Sequence, residues 1–476
     1  MLREGWIFFR NFIKQNKFCL IGTIILLVTV PPLTIFSFID STYHVSSPVW
    51  QEIFYLGIFP LMVFGLALFC VGIFISRQGF FSPAVIGELI KKADKAKVLK
   101  ETALVTSVVL TLVLICMGAI VYSAYHYTES VNFCGRLCHR VMKPEYTAYQ
   151  HSPHSHVKCV ECHIGPGASW FVKSKLSGMR EVVAYLSNKY PRPIPTPLHN
   201  LRPARETCEE CHRPEFFIGY KLVIKEKRAP DEKNSKLYTI LLMKTGTGGM
   251  RANRAQGIHW HVSPEVQIFY KYTDEKRENI VEVVKIENGK KTIFKKSEEA
   301  DSEGKPEEKE VYIRKMDCLD CHNRPTHIFH SPEEAIDLEF VQGKMPEDIP
   351  FIKKVSLEAI TKKYASREEA RQKISEYILS FYKKNYPELV KKDSQKIQEA
   401  IKASIEAYML NVFPEMRISW NTYPNFLSHK GCWRCHNDEF ESKDGETITQ
   451  DCTLCHNLLA EDEQNPEVLD TIVGEE

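Results

Sequence analysis

A surplus of charge is the first thing this sequence lacks: across 476 residues, 62 Lys and Arg stand against 60 Asp and Glu, a net of +2. So balanced a chain has no basic excess with which to neutralise phosphates, which argues against a nucleic-acid partner. Ionisable residues are also missing from the interiors of three apolar stretches, Phe18 to Phe38, Tyr55 to Ile75 and Leu104 to Tyr125. Each has about the 20 residues that cross a bilayer. Without Asp, Glu, Lys, Arg or His inside them, such helices anchor the chain, or cradle a lipophilic substrate, and conduct no protons. The loop around Tyr43 to Gln51 has neither Lys nor Arg, whereas the next holds Arg77, Lys91, Lys92, Lys95, Lys97 and Lys100. The positive-inside bias then puts the N-terminus and the Lys-rich loop in the cytoplasm, and everything after Tyr125 outside. The first stretch follows Arg3, Arg10, Lys14 and Lys17. It is longer than the apolar region of a signal peptide and has no small-residue cleavage site, so it reads as a retained anchor.

Cysteine, by contrast, is abundant: of 15, twelve fall into six pairs that each precede a His. Five are strict C-x-x-C-H, namely Cys159/Cys162/His163, Cys208/Cys211/His212, Cys318/Cys321/His322, Cys432/Cys435/His436 and Cys452/Cys455/His456. Chance would give on the order of 0.02 such matches in the chain. The sixth, Cys134-Gly-Arg-Leu-Cys138-His139, carries one extra residue, so its bridge must bow outward. This spacing lets two thiols add to the two vinyl groups of one haem while the adjacent His reaches the iron. Structural zinc would need two C-x-x-C halves meeting, with no reason for a His after every pair. Disulfides across two intervening residues are strained and require no trailing His. The array therefore reads as six covalently bound haem c groups, attached in the bacterial periplasm. Cys19, Cys70 and Cys116 lie in the apolar stretches and read as small hydrophobes.

From Trp170 to Leu186 apolar residues recur at helical spacing with Lys173, Lys175, Arg180 and Glu181 between them, the pattern of an amphipathic helix at a bilayer interface. Tyr190 to Pro203 is a proline-rich connector carrying His199. Tyr220 to Arg314 holds β-rich runs with a hairpin signal at Asn288-Gly289, which predicts an inserted antiparallel β module with a solvated tip at Lys296 to Lys309. In its middle, strand alternation would aim His259 and His261 to one face, either as surface or core histidines or as iron ligands. Ser331 to Leu410 is helical, with Ile360, Tyr364, Ile374, Ile378, Phe381, Ile401, Ile405 and Tyr408 on one face, and reads as a scaffold. The tail after Leu459 is acidic and reads as frayed.

Low-spin electron-transfer haems need a second axial ligand besides the motif His. Of 17 His, six belong to motifs and eleven remain. The favoured distal ligands are His154, His199, His261, His327 and His429, with Met142 for the membrane-proximal haem. A quinol losing two electrons sheds two protons, and a positioned base lowers that barrier. Lys173, Lys175 and Glu145 are the candidates, against a reading in which they only meet lipid headgroups.

The helix running straight into FCGRLCHRVM, then Tyr146, Tyr149, Ser152 and His154, CVECH, and Trp170 to Lys175 together resemble the NapC/NirT/NrfH family of membrane-anchored multihaem cytochromes c. The resemblance covers Leu104 to His212; beyond it the chain is similar to the larger three-span inner-membrane cytochromes of the ImcH type. It implies oxidation of menaquinol or ubiquinol and delivery of electrons to periplasmic partners. In the family a Met near the first motif ligates the first haem; Met142 lies three residues after His139 instead of two. Family members carry an Asp shortly after the second motif, where this chain has Gly165-Pro166-Gly167.

The expected fold is a multihaem cytochrome c, mainly α with an inserted antiparallel β module and three N-terminal transmembrane helices. Its divisions are a membrane anchor (1–125), a three-haem NapC/NirT-like domain (126–218), a β-rich insert (219–315) and a C-terminal domain with a helical scaffold and three haems (316–476). The expected function is menaquinol oxidation from the bacterial inner membrane, with electrons passing through six haems to periplasmic cytochromes or a reductase, in a chain that can form homo-oligomers. Two rivals are a tethered relay that never meets quinol and a terminal reductase; the latter wants an open iron in a basic pocket, which no C-x-x-C-K motif marks here.

Overall fold

The computed structural model describes residues 16–43, 48–80, 111, 115–198, 201–248, 257–296 and 310–473. Two compact units divide between Leu137 and Cys138. In the first, α1 is Lys17–Tyr43. Helix α2 runs through Pro48–Glu52, a π-helical Ile53–Ile58 and Phe59–Phe80, and α3 covers residues 115–128. Asn16 starts α1, its Oδ1 accepting from the backbone N–H of Phe18 (3.0 Å) and Cys19 (3.2 Å) while Nδ2 donates to Gly72 O at 2.8 Å. The α1–α2 contact needs glycine: a Cβ on Gly22 would meet Gly65 O and Phe69 N at 2.6 Å. Small residues of this kind let helix backbones pack without a hydrophobic driving force.

Among the described residues, two segments are long and apolar enough to cross a membrane, Lys17–Asp40 and Trp50–Gly72. Of the third expected span, residues 104–110 and 112–114 lie outside the described residues, as do Lys91 to Lys100. Helix α1 also runs past Phe38, so Asp40 falls inside it. Asp40 thus stands at the end of that span, beyond the interior, which holds no Asp, Glu, Lys, Arg or His.

In the second unit the membrane-proximal segment folds as α4 (Lys143–Gln150), α5 (Cys159–His163) and α6 (Ala168–Leu186). The β-rich stretch supplies β1 (Tyr220–Arg228), β2 (Lys236–Lys244), β3 (Val266–Tyr272), β4 (Ile280–Glu287), β5 (Lys290–Lys296) and β6 (Tyr312–Lys315). Asn288 and Gly289 turn β4 into β5 with φ of 51° and 80°, the left-handed pair a two-residue hairpin demands. The stretch is not a closed module, however. Strand β7 (Phe440–Ser442) joins the sheet β6-β3-β4-β5-β7, and β8 (His456–Glu463) completes β1-β2-β8. The segment after Leu459 is thus paired rather than frayed up to Glu463: Ala460 opposes Ile240, and Glu463 opposes Tyr238. The expected loop tip at 297–309 lies outside the described residues.

Helices α7 (Pro332–Val341), α8 (Ile352–Ile360), α9 (Arg367–Asn385), α10 (Pro387–Lys392) and α11 (Ser394–Asn411) form the scaffold. Ile360, Ile374, Ile378, Ile401, Ile405 and Tyr408 are buried in its core, with Tyr364 and Phe381 packed against it. The scaffold grips the β1–β2 hairpin. Lys353 Nζ pairs with Asp337 at 2.7 Å and also donates to Arg228 O, while Asn234 Nδ2 donates to Ile349 O at 2.8 Å.

Candidate haem sites

Each strict motif makes one tight turn that gathers its two thiols and the following His. The first Cys carbonyl accepts from the His backbone N–H at 2.8 Å in Cys208/His212 and Cys318/His322, and at 3.0 Å in Cys432/His436. The Cys134 motif is wound instead as a π-helix, Phe133–Cys138. A π turn takes up one residue more than an α turn, which is where the extra residue goes. Among the described residues, no disulfide joins any of the twelve motif cysteines.

The two thiols of the third motif are not equally enclosed. Cys208 is half-buried, whereas Cys211 is exposed. The physical reason is local. Cys211 closes the 3-10 turn Cys208–Glu210, its N–H donating to Cys208 O at 3.2 Å. Its neighbours Glu210, His212 and Arg213 are exposed too, and the chain is next buried at Pro214. Spacing to Cys208 and His212 therefore marks Cys211 for a thioether bond, and its surroundings add nothing to that assignment. Cys162, Cys432 and Cys452 are exposed as well.

Five motif histidines each face one non-motif histidine. Ring centres are 6.2 Å apart for His163 and His327, 6.0 Å for His212 and His154, 6.5 Å for His322 and His259, 5.8 Å for His436 and His261, and 5.9 Å for His456 and His429. Two metal–nitrogen bonds of about 2 Å, with roughly 1.2 Å from each nitrogen to its ring centre, would set such centres about 6.4 Å apart. Distance alone does not separate this from ordinary aromatic contact. The one-to-one matching does, because core packing has no reason to give every one of these motif His its own imidazole.

The ring chemistry points the same way. Nδ1 of His259 lies 2.7 Å from Thr245 O, that of His261 2.8 Å from Ile258 O, that of His327 2.8 Å from Glu145 O and that of His436 2.9 Å from Thr449 O. A proton held on Nδ1 by a carbonyl leaves the Nε2 lone pair for a metal. Burial, the main cause in each case, holds His163 and His261 below the usual imidazole range and takes His327 down to about 4. All three are therefore kept in the neutral, ligating form.

Some neighbouring pairs are joined by short turns of chain. His259 and His261, two residues apart on the 3-10 turn Ile258–Val262, serve different motifs. They sit on no strand, so the expected shared face is replaced by a turn that fans them apart. His429 and Cys432 share one helical turn yet face the sixth and begin the fifth motif. His322 is depressed by burial first and then by His259, His212 and His154 together, which places the third and fourth sites side by side.

At the first motif, His139 Nδ1 lies 3.1 Å from Glu181 Oε2 on α6. That bond holds the Glu181 carboxyl below its ordinary range, more strongly than burial raises it. Met142 ends the 3-10 turn Arg140–Met142, its N–H donating to His139 O at 2.8 Å. Lys175 Nζ stands over the Phe171 ring at 4.9 Å and lies close enough to act on Cys138, and Lys173 stacks on Trp170 at 4.8 Å. Glu145 does not face a lipid surface. It is buried against Arg324 and Tyr423, with its carboxyl pushed up by burial and its carbonyl on His327. His199 lies outside the described residues.

Sequence reasoning undervalued two residues. His259 was readable in principle, since two His two residues apart cannot flank one iron and invite two assignments. Glu181 carried no signal beyond its place among the charged positions of an amphipathic helix.

Comparison with known proteins agrees with this architecture. Residues 96–193 match the N-terminal region of the NapC/NirT cytochrome c family. The cytochrome c-type protein ImcH of Geobacter sulfurreducens is 42% identical over 345 residues, covering 72% of this chain and 67% of that protein. The cytochrome c-type protein NrfH of Wolinella succinogenes is 32% identical over 78 residues, 16% of this chain and 44% of its own length. No solved structure matches. With these relatives, the motif array and the apolar helices in hand, the chain belongs to the NapC/NirT cytochrome c family, membrane-anchored multihaem proteins of electron transport that hold haem c covalently.

Proposed function

We propose that the chain is a quinol:cytochrome c oxidoreductase of the bacterial inner membrane, taking electrons from menaquinol and passing them to periplasmic redox partners. The observation that carries this is the set of five His pairs that follow, along the chain, a first motif wound as a direct sequel to an apolar helix. Three spans with the N-terminus in the cytoplasm, and six haems in the periplasm, complete the reading. Bound haem supplies the one-electron redox couple; everything else belongs to the polypeptide.

The twelve motif cysteines, the exposed Cys211 among them, would hold the six groups. His163/His327, His212/His154, His322/His259, His436/His261 and His456/His429 would each hold one iron between them. His139 would hold the first iron, its ring oriented by Glu181, with Met142 as the candidate second ligand. Carboxylate–imidazole pairs of this kind fix the tautomer and raise ligand basicity. Lys175, next to Cys138, is the first candidate among the expected bases, with Lys173 and the buried Glu145 as the others. The exposed apolar face of α6, Val172, Leu176, Met179, Val183 and Leu186, supports its lying in the bilayer interface.

Quinol-driven haem reduction in proteoliposomes tests the proposal, comparing wild type with Lys173→Ala, Lys175→Ala and Met142→Ala. Full bleaching by dithionite but none by menaquinol in the wild type would leave only a tethered relay.

A further inference from the structure

Polar residues gather where a mere anchor would have none. At the α1–α2 end nearest the first motif, Asp40 accepts from Tyr55 Oη at 2.9 Å and from Gln51 Nε2 at 3.0 Å. Ser37 of α1 and Ser123 of α3 turn their hydroxyls toward that of Tyr55. Both serines are buried, and Ser37 Oγ makes no hydrogen bond of standard geometry. One layer away the same helices meet through Leu33, Met62 and Ile120, an ordinary apolar contact. Polar side chains inside membrane helices are costly and are kept where they serve a function.

Aromatic rings line the same spot. Phe36 stacks on Phe54 with centres 4.1 Å apart and planes 5° off parallel, and Tyr55 stacks on Tyr127 at 5.1 Å. Tyr127 in turn meets Phe133 edge-on at 5.4 Å. Phe133 is the residue before Cys134. Parallel rings beside a carboxylate and hydroxyls suit a flat, apolar ring bearing two exchangeable O–H groups, and chain connectivity puts an iron-binding motif directly after them.

We propose that Asp40, Tyr55, Ser37 and Ser123 form the headgroup site of a lipid-soluble hydroquinone, with Asp40 as its proton acceptor. This rests on the quinol reading and names the site for it. The hydroquinone breaks two O–H bonds. Its two protons would pass in turn to the Asp40 carboxylate and on to water, its two electrons would go singly to the haem that Cys134 and Cys138 would hold, and quinone would leave. Tyr55 orients Asp40 by donating to it, and its Oη accepts from a hydroquinone O–H.

The test uses full-length holoprotein in proteoliposomes with menadiol as donor and a hydroxyquinoline N-oxide as binding probe. Asp40→Asn is expected to slow haem reduction about a hundredfold, the share a positioned base supplies. Tyr55→Phe and Ser37→Ala are expected to weaken probe binding about tenfold, as loss of a bond to a buried polar group does. Haem content and dithionite reduction should stay unchanged in all three. Wild-type rates and probe binding in the variants, with haem reduction lost instead in Lys175→Ala, would move the site elsewhere and leave quinol oxidation standing. A wild type that menadiol never reduces, yet whose probe binding still depends on Tyr55, would overturn the quinol reading while keeping the ring site.

Discussion

Replacing Asp320 with Asn removes one negative charge from a buried knot and keeps its shape. Asp320, 1% exposed, lies between the two cysteines of the fourth motif. It accepts from Arg314 Nε at 3.0 Å, from the backbone N–H of Asp317 at 2.7 Å and from Tyr270 Oη, with Arg277 Nη1 3.8 Å away. Removing one partner of a buried pair costs about 3–5 kcal/mol, because the other charge is stranded. Arg314 retains 24% side-chain exposure, so water relieves part of that cost and the low end, about 3 kcal/mol, applies. For a unit of this size that is a fall in Tm of about 6 °C. Asp317 and Asp320 also form a reciprocal cap on the turn holding Cys318. A loosened turn should present its thiols poorly, so Asp320→Asn is expected to yield molecules lacking one haem.

Thermal melts of holoprotein and intact-mass counting of haems read the two effects separately. Asp320→Asn/Arg314→Met should melt above the single variant, since no cation is then stranded at that position. A single variant that melts within about 1 °C of wild type with its full haem complement would refute the reasoning.

How much of this was legible beforehand differs by residue, for physical reasons. The haem motifs are covalent chemistry written at fixed spacing, so Cys159 through His163 needed no fold to be read. Spacing says nothing of enclosure, which is why the exposure of Cys211 had to come from the fold. Strands β1 to β6 were legible because alternation is a local property. Their partners were not: β7 opposes β5 and β8 opposes β2 across more than a hundred residues of chain, and nothing in a strand's own pattern names its neighbour. The same limit hid Glu181, whose meaning comes from His139, and misplaced Glu145. A carboxylate two residues into α4 looks solvent-facing until Arg324 and Tyr423 close over it. Asp40 was passed over for a different reason: an apolar window stops at the first charge, and at the end of α1 that charge is turned inward to Tyr55.

Three further outcomes are expected. His259→Ala should convert one low-spin haem to high-spin by electron paramagnetic resonance while His151→Ala, whose ring sits exposed on Thr147 O at 2.9 Å, converts none; an unchanged spectrum for His259→Ala would dismiss the pairing with His322. Lys353→Met strands Asp337 and should cost about 3–5 kcal/mol in urea unfolding of the helical scaffold, largely regained in Lys353→Met/Asp337→Leu. The last concerns pH. Glu339, 3% exposed, is pushed up to about 7 from an ordinary 4.5, by burial first and with Glu406 adding to it against Lys344. Between those two values the folded chain keeps a proton that the unfolded chain releases, so stability is fully present below about pH 4.5 and is lost as pH rises through about 7. The loss is on the order of 3 kcal/mol, and Glu339→Gln should flatten it. Urea midpoints at pH 5 and pH 8 that shift as much in the variant as in wild type would show that the slope belongs to another group.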